Sequence, residues 1–110
     1  MARYLIQATY TPDAWAAQLK NPQNRRAAAT PLVEQLGGHI EAFYYAFGAS
    51  DLVIIAEAPD NVSAAAISLA VTSTGAFKSY TTTPLLTVDE AMQAMRKAGE
   101  AGAAYRPPTA

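Results

Sequence analysis

An α+β fold ordered β-α-β-β-α-β, with one further helix at the C-terminus, is predicted by three features of this 110-residue chain. Two strand-like apolar runs meet in a hairpin within Glu41–Asn61, EAFYYAFGASDLVIIAEAPDN, at Gly48-Ala49-Ser50-Asp51. Helix-start signals follow strand-like runs at Thr11-Pro12 and at Asp60. A threonine- and aromatic-rich run comes after the second helical segment.

Taken in order, Arg3–Tyr10 reads as the first strand, stopped by a capping threonine and a proline suited to the first helical turn. Asp13–Lys20 is a helical piece, and Asn21-Pro22 repeats the cap-and-proline signal, so the first helix is expected to be broken and restarted. Pro31 is a further kink point, and Gly37-Gly38 supplies the left-handed residue that closes a helix. His39–Phe47 and Asp51–Ala58 form the hairpin strands. Asp60 caps a second helix whose expected apolar stripe is Val62, Ala66, Leu69 and Ala70, closed by Gly75. Phe77–Leu86 is the fourth strand, placed at the rim because Pro84 has no amide hydrogen for a ladder. Thr87 and Glu90 fit a capping box for a last helix carrying Met92 and Met95, expected to end near Gly99. One domain over residues 1–98 is therefore expected, with 99–110 as a Gly/Ala/Pro-rich tail, flexible or packed on a neighbour. The order is that of the split βαβ or ferredoxin-like arrangement.

Composition narrows the function classes. Eight Lys and Arg residues are spread thinly over a chain of net charge -1, so no phosphate-tracking surface is expected and no nucleic-acid partner. Cysteine is absent, which removes disulfides, thiol nucleophiles and cysteine metal sites and suits a reducing compartment. Residues 1–10 hold no long apolar segment, so neither a signal peptide nor a membrane partner is expected, and the location is read as cytoplasmic. The apolar share is 51%, much of it alanine, which buries little area per residue and favours packing against a partner.

In such a fold both helices cover one sheet face and leave the other free. Alternation assigns Leu52, Ile54, Ala56 and Ala58 to the helices. The sets Leu5, Gln7, Thr9; His39, Glu41, Phe43, Tyr45, Phe47; and Val53, Ile55, Glu57 are assigned to the free face. That face is too apolar to leave in water, so two subunits are expected to pair through it, as a homodimer or higher homo-oligomer that also uses strand edges. Pairing would enclose a pocket with Gln7, Thr9, His39, Glu41, Tyr45 and Glu57 as its polar groups, a make-up suited to a small apolar or aromatic molecule.

The segments ARYLIQATYT, NPQNR, the FG..D hairpin, EAPDN and TTPLLTVDEAM together resemble the GYD-domain family over nearly the whole chain, up to about Lys97. Gly48 and Asp51 fit the neighbourhood of the Gly-Tyr-Asp signature, and Ser50 stands where the tyrosine is expected. The resemblance implies kinship with dimeric α+β barrel proteins, whose ferredoxin-like subunits pair through their sheets. That wider group includes cofactor-free oxygenases, haem-binding and haem-degrading proteins, lyases, isomerases and proteins without known activity. It supplies no catalytic residues to carry over.

Among candidate sites, Glu57 lies in an otherwise apolar strand and is the best acid or base candidate, with a raised pKa expected unless a cation such as Arg3 or Lys78 pairs with it. His39, with Glu41 two positions on, is the other candidate for proton transfer; the competing reading is a solvated residue at a strand start. One histidine and no cysteine give no recognised ligand spacing, so no metal is expected. No cofactor is expected either, since a haem would have to take His39 as its axial ligand. Tyr44, Tyr45, Phe43 and Phe47 read as core and subunit interface in preference to a stacking site. Lys20, Arg25 and Arg26 after Asn21 could hold an anion, but a solvated helix face is preferred. The function expected is a homo-oligomer that binds a small molecule, with cofactor-independent catalysis left open. The alternative is a non-enzymatic structural or regulatory assembly whose free face its partner fills.

Overall fold

The computed structural model describes residues 1–109; the last residue of the expected tail, Ala110, lies outside them. Strand β1 (Ala2–Tyr10) leads into α1 (Pro12–Lys20) and α2 (Arg25–Gln35). Strands β2 (His39–Tyr45) and β3 (Leu52–Ala58) form the hairpin. Helix α3 (Asn61–Thr72), β4 (Phe77–Leu85), α4 (Val88–Ala101) and a short 3-10 turn at Gly102–Ala104 complete the order. The four strands form one antiparallel sheet in the order β2-β3-β1-β4, so the apolar strand β3 is internal while β2 and β4 are the edges. This is an α+β fold consistent with the ferredoxin-like arrangement, its first helix divided in two.

Local chemistry explains most boundaries. Thr11 caps α1 by accepting from the Ala14 amide, with Pro12 at the first helical position. The break falls as expected, but Asn21 ends α1 and the restart is capped by Asn24, whose Oδ1 accepts from the Ala27 amide. Gly37, at φ 84°, takes the left-handed conformation after α2, and Gly75, at φ 78°, does so after α3. Asp60 caps α3 through the Ser63 amide. The Thr87–Glu90 capping box forms with both its hydrogen bonds, and α4 runs two residues beyond Gly99.

The core lies between the sheet and α1–α3. Tyr4, Ile6, Ala8 and Tyr10 of β1 and Leu52, Ile54, Ala56 and Ala58 of β3 are buried, with Val33 from α2 and Ala64 and Ile67 from α3. The α3 stripe therefore differs from the expected one: Val62 and Leu69 are exposed, and Ala64 and Ile67 face the sheet. A helix apolar on nearly all sides has no dominant period, so spacing alone does not select its inner face.

Helix α4 does not fold back onto the domain. The radius of gyration is 17.7 Å, against roughly 13 Å for a compact chain of this length, and the longest dimension is 58 Å. Val88, Met92 and Met95, spaced to share one side of α4, are exposed, as are Leu86 before it and Tyr105 after it.

Candidate functional site

Hydrogen-bonded register places Arg3, Leu5, Gln7 and Thr9 of β1 on the free face with Glu57, Ile55 and Val53 of β3 and Leu85, Thr83, Thr81 and Ser79 of β4. In β2 the ladder shifts between Ile40 and Ala42, leaving Glu41 as an extra residue. A bulge reverses the alternation beyond it. His39 pairs with Glu57 on the free face, but Phe43 now pairs with Ile54 and Tyr45 with Leu52, on the helix face. The expected placement of Phe43 and Tyr45 is thus corrected. Tyr45 stands 6.2 Å from Trp15, centroid to centroid, and its hydroxyl is 3.5 Å from Gln18 Oε1; Tyr44 takes the free face instead.

Of the six expected ligand-binding residues, three converge. His39, Glu41 and Glu57 gather at one corner of the free face, each with a ligand-capable atom within 4.8 Å of the others. Arg3, from the adjoining strand, bridges the carboxylates: its Nη2 is 3.1 Å from Glu41 and its Nε 3.1 Å from Glu57. The positive charge that a cation would bring is already supplied. His39 Nε2 lies 3.5 Å from Glu57 Oε2. Gln7 and Thr9 lie further along β1, Gln7 roughly 13 Å from Arg3 at strand rise. Thr9 donates to the Ala49 carbonyl at the hairpin turn.

Of the two outcomes expected for Glu57, pairing with Arg3 is the one observed, and its pKa is not raised. Side-chain hydrogen bonding with Glu41 holds its carboxyl below the usual 4.5, joined by Arg3 and His39 and opposed by burial. Glu57 is therefore ionised at neutral pH and holds no proton to donate. A depressed native value adds stability that is present above the unfolded value and lost as pH falls through the native one. The urea midpoint at fixed protein concentration should therefore decline below about pH 4.5, with Asp60 and Glu90, also lowered by their capping bonds, sharing the decline. Glu57→Gln should make it shallower; an unchanged acid limb would show that the ion pairs do not hold this corner.

The concave site lies on the opposite side. A cleft of about 410 Å³ opens between the sheet and the three helices, lined by Ile6, Phe43 and Ile54 from the strands, Leu32 and Val33 from α2, Ile67 and Val71 from α3, and Phe77. Its polar lining includes the Tyr10 and Tyr80 phenols, Gln18, Gln23, Thr74 and Arg25. Burial pushes the Tyr80 hydroxyl up to about 12. Tyr10 is also pushed up to about 12, first by burial and then by neighbouring Tyr45, with Arg25 acting the other way. At neutral pH both phenols remain protonated donors.

One end of the cleft is held by the Gly48–Asp51 turn. The Asp51 carboxylate accepts from the Tyr10 amide and from Trp15 Nε1, both at 3.0 Å, while its backbone bonds to Ala8 and Ala46. Trp15 packs edge-on to Tyr10 at 5.2 Å, and Phe77 stacks on the same ring at 4.8 Å. Asp51, expected only as a turn residue, thereby ties the hairpin to β1 and α1. Away from this end, a smaller crevice of about 260 Å³ is lined by Tyr4, Asn61, Ser68 and Thr82. There the Tyr4 hydroxyl donates to Asn61 Oδ1 at 2.6 Å.

The expected pocket and the observed cleft thus occupy opposite sides of the sheet. Helices α1 and α2 with the distant α3 build the cleft, and no local motif announces it; of the candidate site residues weighed in the sequence, Phe43 and Arg25 line it. Fold and cleft together define a single-sheet α+β protein with a largely apolar cleft of about 410 Å³ on its helix side. The GYD domain model matches residues 4–95, and the chain belongs to the GYD-domain family. No curated protein and no solved structure gives a significant match.

Proposed function

We propose that this protein is a homo-oligomer that binds a small apolar or aromatic molecule in the cleft between its sheet and helices. The observation that carries the reading is the cleft: about 410 Å³ of largely aliphatic and aromatic lining with a few polar groups, the usual constitution of a small-molecule site. Binding, rather than catalysis, is what the groups support. Phenols near 12 donate hydrogen bonds at neutral pH but do not accept protons as bases.

Self-association uses the other side of the sheet. Leu5, Val53 and Ile55 form an apolar band there, with Tyr44 beside it. Four strands about 4.8 Å apart and about 25 Å long present a footprint of roughly 500 Å², short of the about 800 Å² per partner typical of stable interfaces. Helix α4, about 21 Å long and about 10 Å across, adds roughly 200 Å² more when its Val88–Met92–Met95 side lies on the second subunit. Binding and assembly then occupy opposite faces and do not compete.

The test is energy transfer from Trp15, the only tryptophan, to the neutral fluorophore N-phenyl-1-naphthylamine. Saturable quenching of Trp15 is expected. Ala29→Phe, which fills the cleft from a half-buried position on α2, should weaken it by about tenfold or more. Equal binding by a folded Ala29→Phe protein would contradict the cleft as the site.

A further inference from the structure

Arg25 is the one charged side chain lining the cleft. It is half-buried in the first turn of α2, and among the described residues no carboxylate lies within ion-pairing distance of it. Its recorded side-chain bond is to a neutral acceptor, Gln23 Oε1, at 3.0 Å. Among the other described basic residues, Lys20, Lys78, Arg96, Lys97 and Arg106 also lack an ion-pair partner but are exposed and line no part of the cleft. Arg3 is engaged by two carboxylates, and Arg26 donates to the Ile40 carbonyl.

Neutral groups that can donate hydrogen bonds stand around Arg25. Tyr10 lies beside both Arg25 and Tyr45; the Tyr45 hydroxyl faces Gln18 Oε1 at 3.5 Å, while Gln18 Nε2 donates to the Ala14 carbonyl at 3.3 Å. Gln18, Gln23 and Tyr10 also line the cleft. An uncompensated cation with neutral donors at one end of an apolar cavity favours a ligand with an anionic end and an apolar body.

We infer that the ligand of this cleft is an apolar or aromatic organic anion, a carboxylate, sulfonate or phenolate, whose charged end sits on Arg25 with the Tyr10 phenol and the Gln23 amide. The inference rests on the cleft being the binding site and adds the ligand's charge. The positive end of α2 contributes in the same sense, but the guanidinium carries the selectivity.

Two probes with one aromatic skeleton separate the claims: 8-anilinonaphthalene-1-sulfonate carries the anion, and N-phenyl-1-naphthylamine lacks it. The intact protein should bind the sulfonate about tenfold tighter, the scale of a hydrogen bond to a charged group. Arg25→Gln should erase that preference, weakening the sulfonate about tenfold more than the neutral probe, whereas Arg25→Lys should restore part of it. Ala29→Phe should weaken both probes. If Arg25→Gln leaves sulfonate binding unchanged while Ala29→Phe weakens both, the anion assignment is overturned and the cleft reading stands. If neither probe responds to Ala29→Phe in a folded protein, the cleft reading itself fails.

Discussion

Gly38→Ala is expected to destabilise the protein by about 3 kcal/mol, the upper part of the range for overpacked sites. Gly38 is buried where the turn after α2 enters β2, and an added Cβ would fall directly on the Glu57 carbonyl oxygen. It would also lie 3.2 Å from the Glu57 carbonyl carbon and 3.4 Å from Ala58 Cα. These are backbone atoms of a strand hydrogen-bonded on both sides, so no side-chain rotation relieves the clash. A thermal melt followed by circular dichroism should fall by about 12 °C or more for a chain of this size. A melt within about 2 °C of the parent would show that β3 has freedom the sheet does not give it.

Ile55→Arg should convert the proposed homo-oligomer to monomers. Ile55 pairs with Leu5 in the apolar band of the free face, on an internal strand. A guanidinium there would be buried without a partner if two faces met, at about 3 to 5 kcal/mol, or roughly a thousandfold weaker association. Met92→Glu on the exposed side of α4 should act in the same direction. Native mass spectrometry gives the subunit count directly. An unchanged oligomer in Ile55→Arg would move the interface off this face, whereas an unchanged oligomer in Met92→Glu alone would remove only α4 from it.

Elements whose signals are local were legible in the sequence. The caps at Thr11, Asp60 and Thr87, the glycine closures and the rim position of the Pro84 strand all follow from residues within a few positions of each boundary. The alternation of β1 and β3 was legible for the same reason: each strand is regular, with one side apolar throughout. Strand β2 was not, because a one-residue bulge at Glu41 leaves no mark in the hydrophobic pattern yet moves Phe43 and Tyr45 across the sheet. The α3 stripe was misplaced because its alanines make several faces equally apolar.

The candidate site divides along the same line. His39, Glu41 and Glu57 meet as strand spacing suggests, and Arg3 pairs with Glu57 as one of the two cations the sequence offered; its second contact, to Glu41, depends on how three strands align and is marked in no one segment. The cleft depends on α1, α2 and α3 closing over the sheet together, a property of packing rather than of any segment. Asp51 was legible as a turn residue; its hold on Trp15 and the Tyr10 amide becomes visible only once the hairpin is docked.

Which face of the sheet receives the ligand is decided most directly by heteronuclear NMR of the labelled protein titrated with N-phenyl-1-naphthylamine. Shifts confined to the cleft-lining residues Ile6, Ala14, Leu32, Ile54 and Val71, with Leu5, Val53 and Ile55 unmoved, are the predicted result. Shifts at Leu5, Val53 and Ile55 with the cleft residues unmoved would contradict it, placing the site on the face where the subunits are expected to meet.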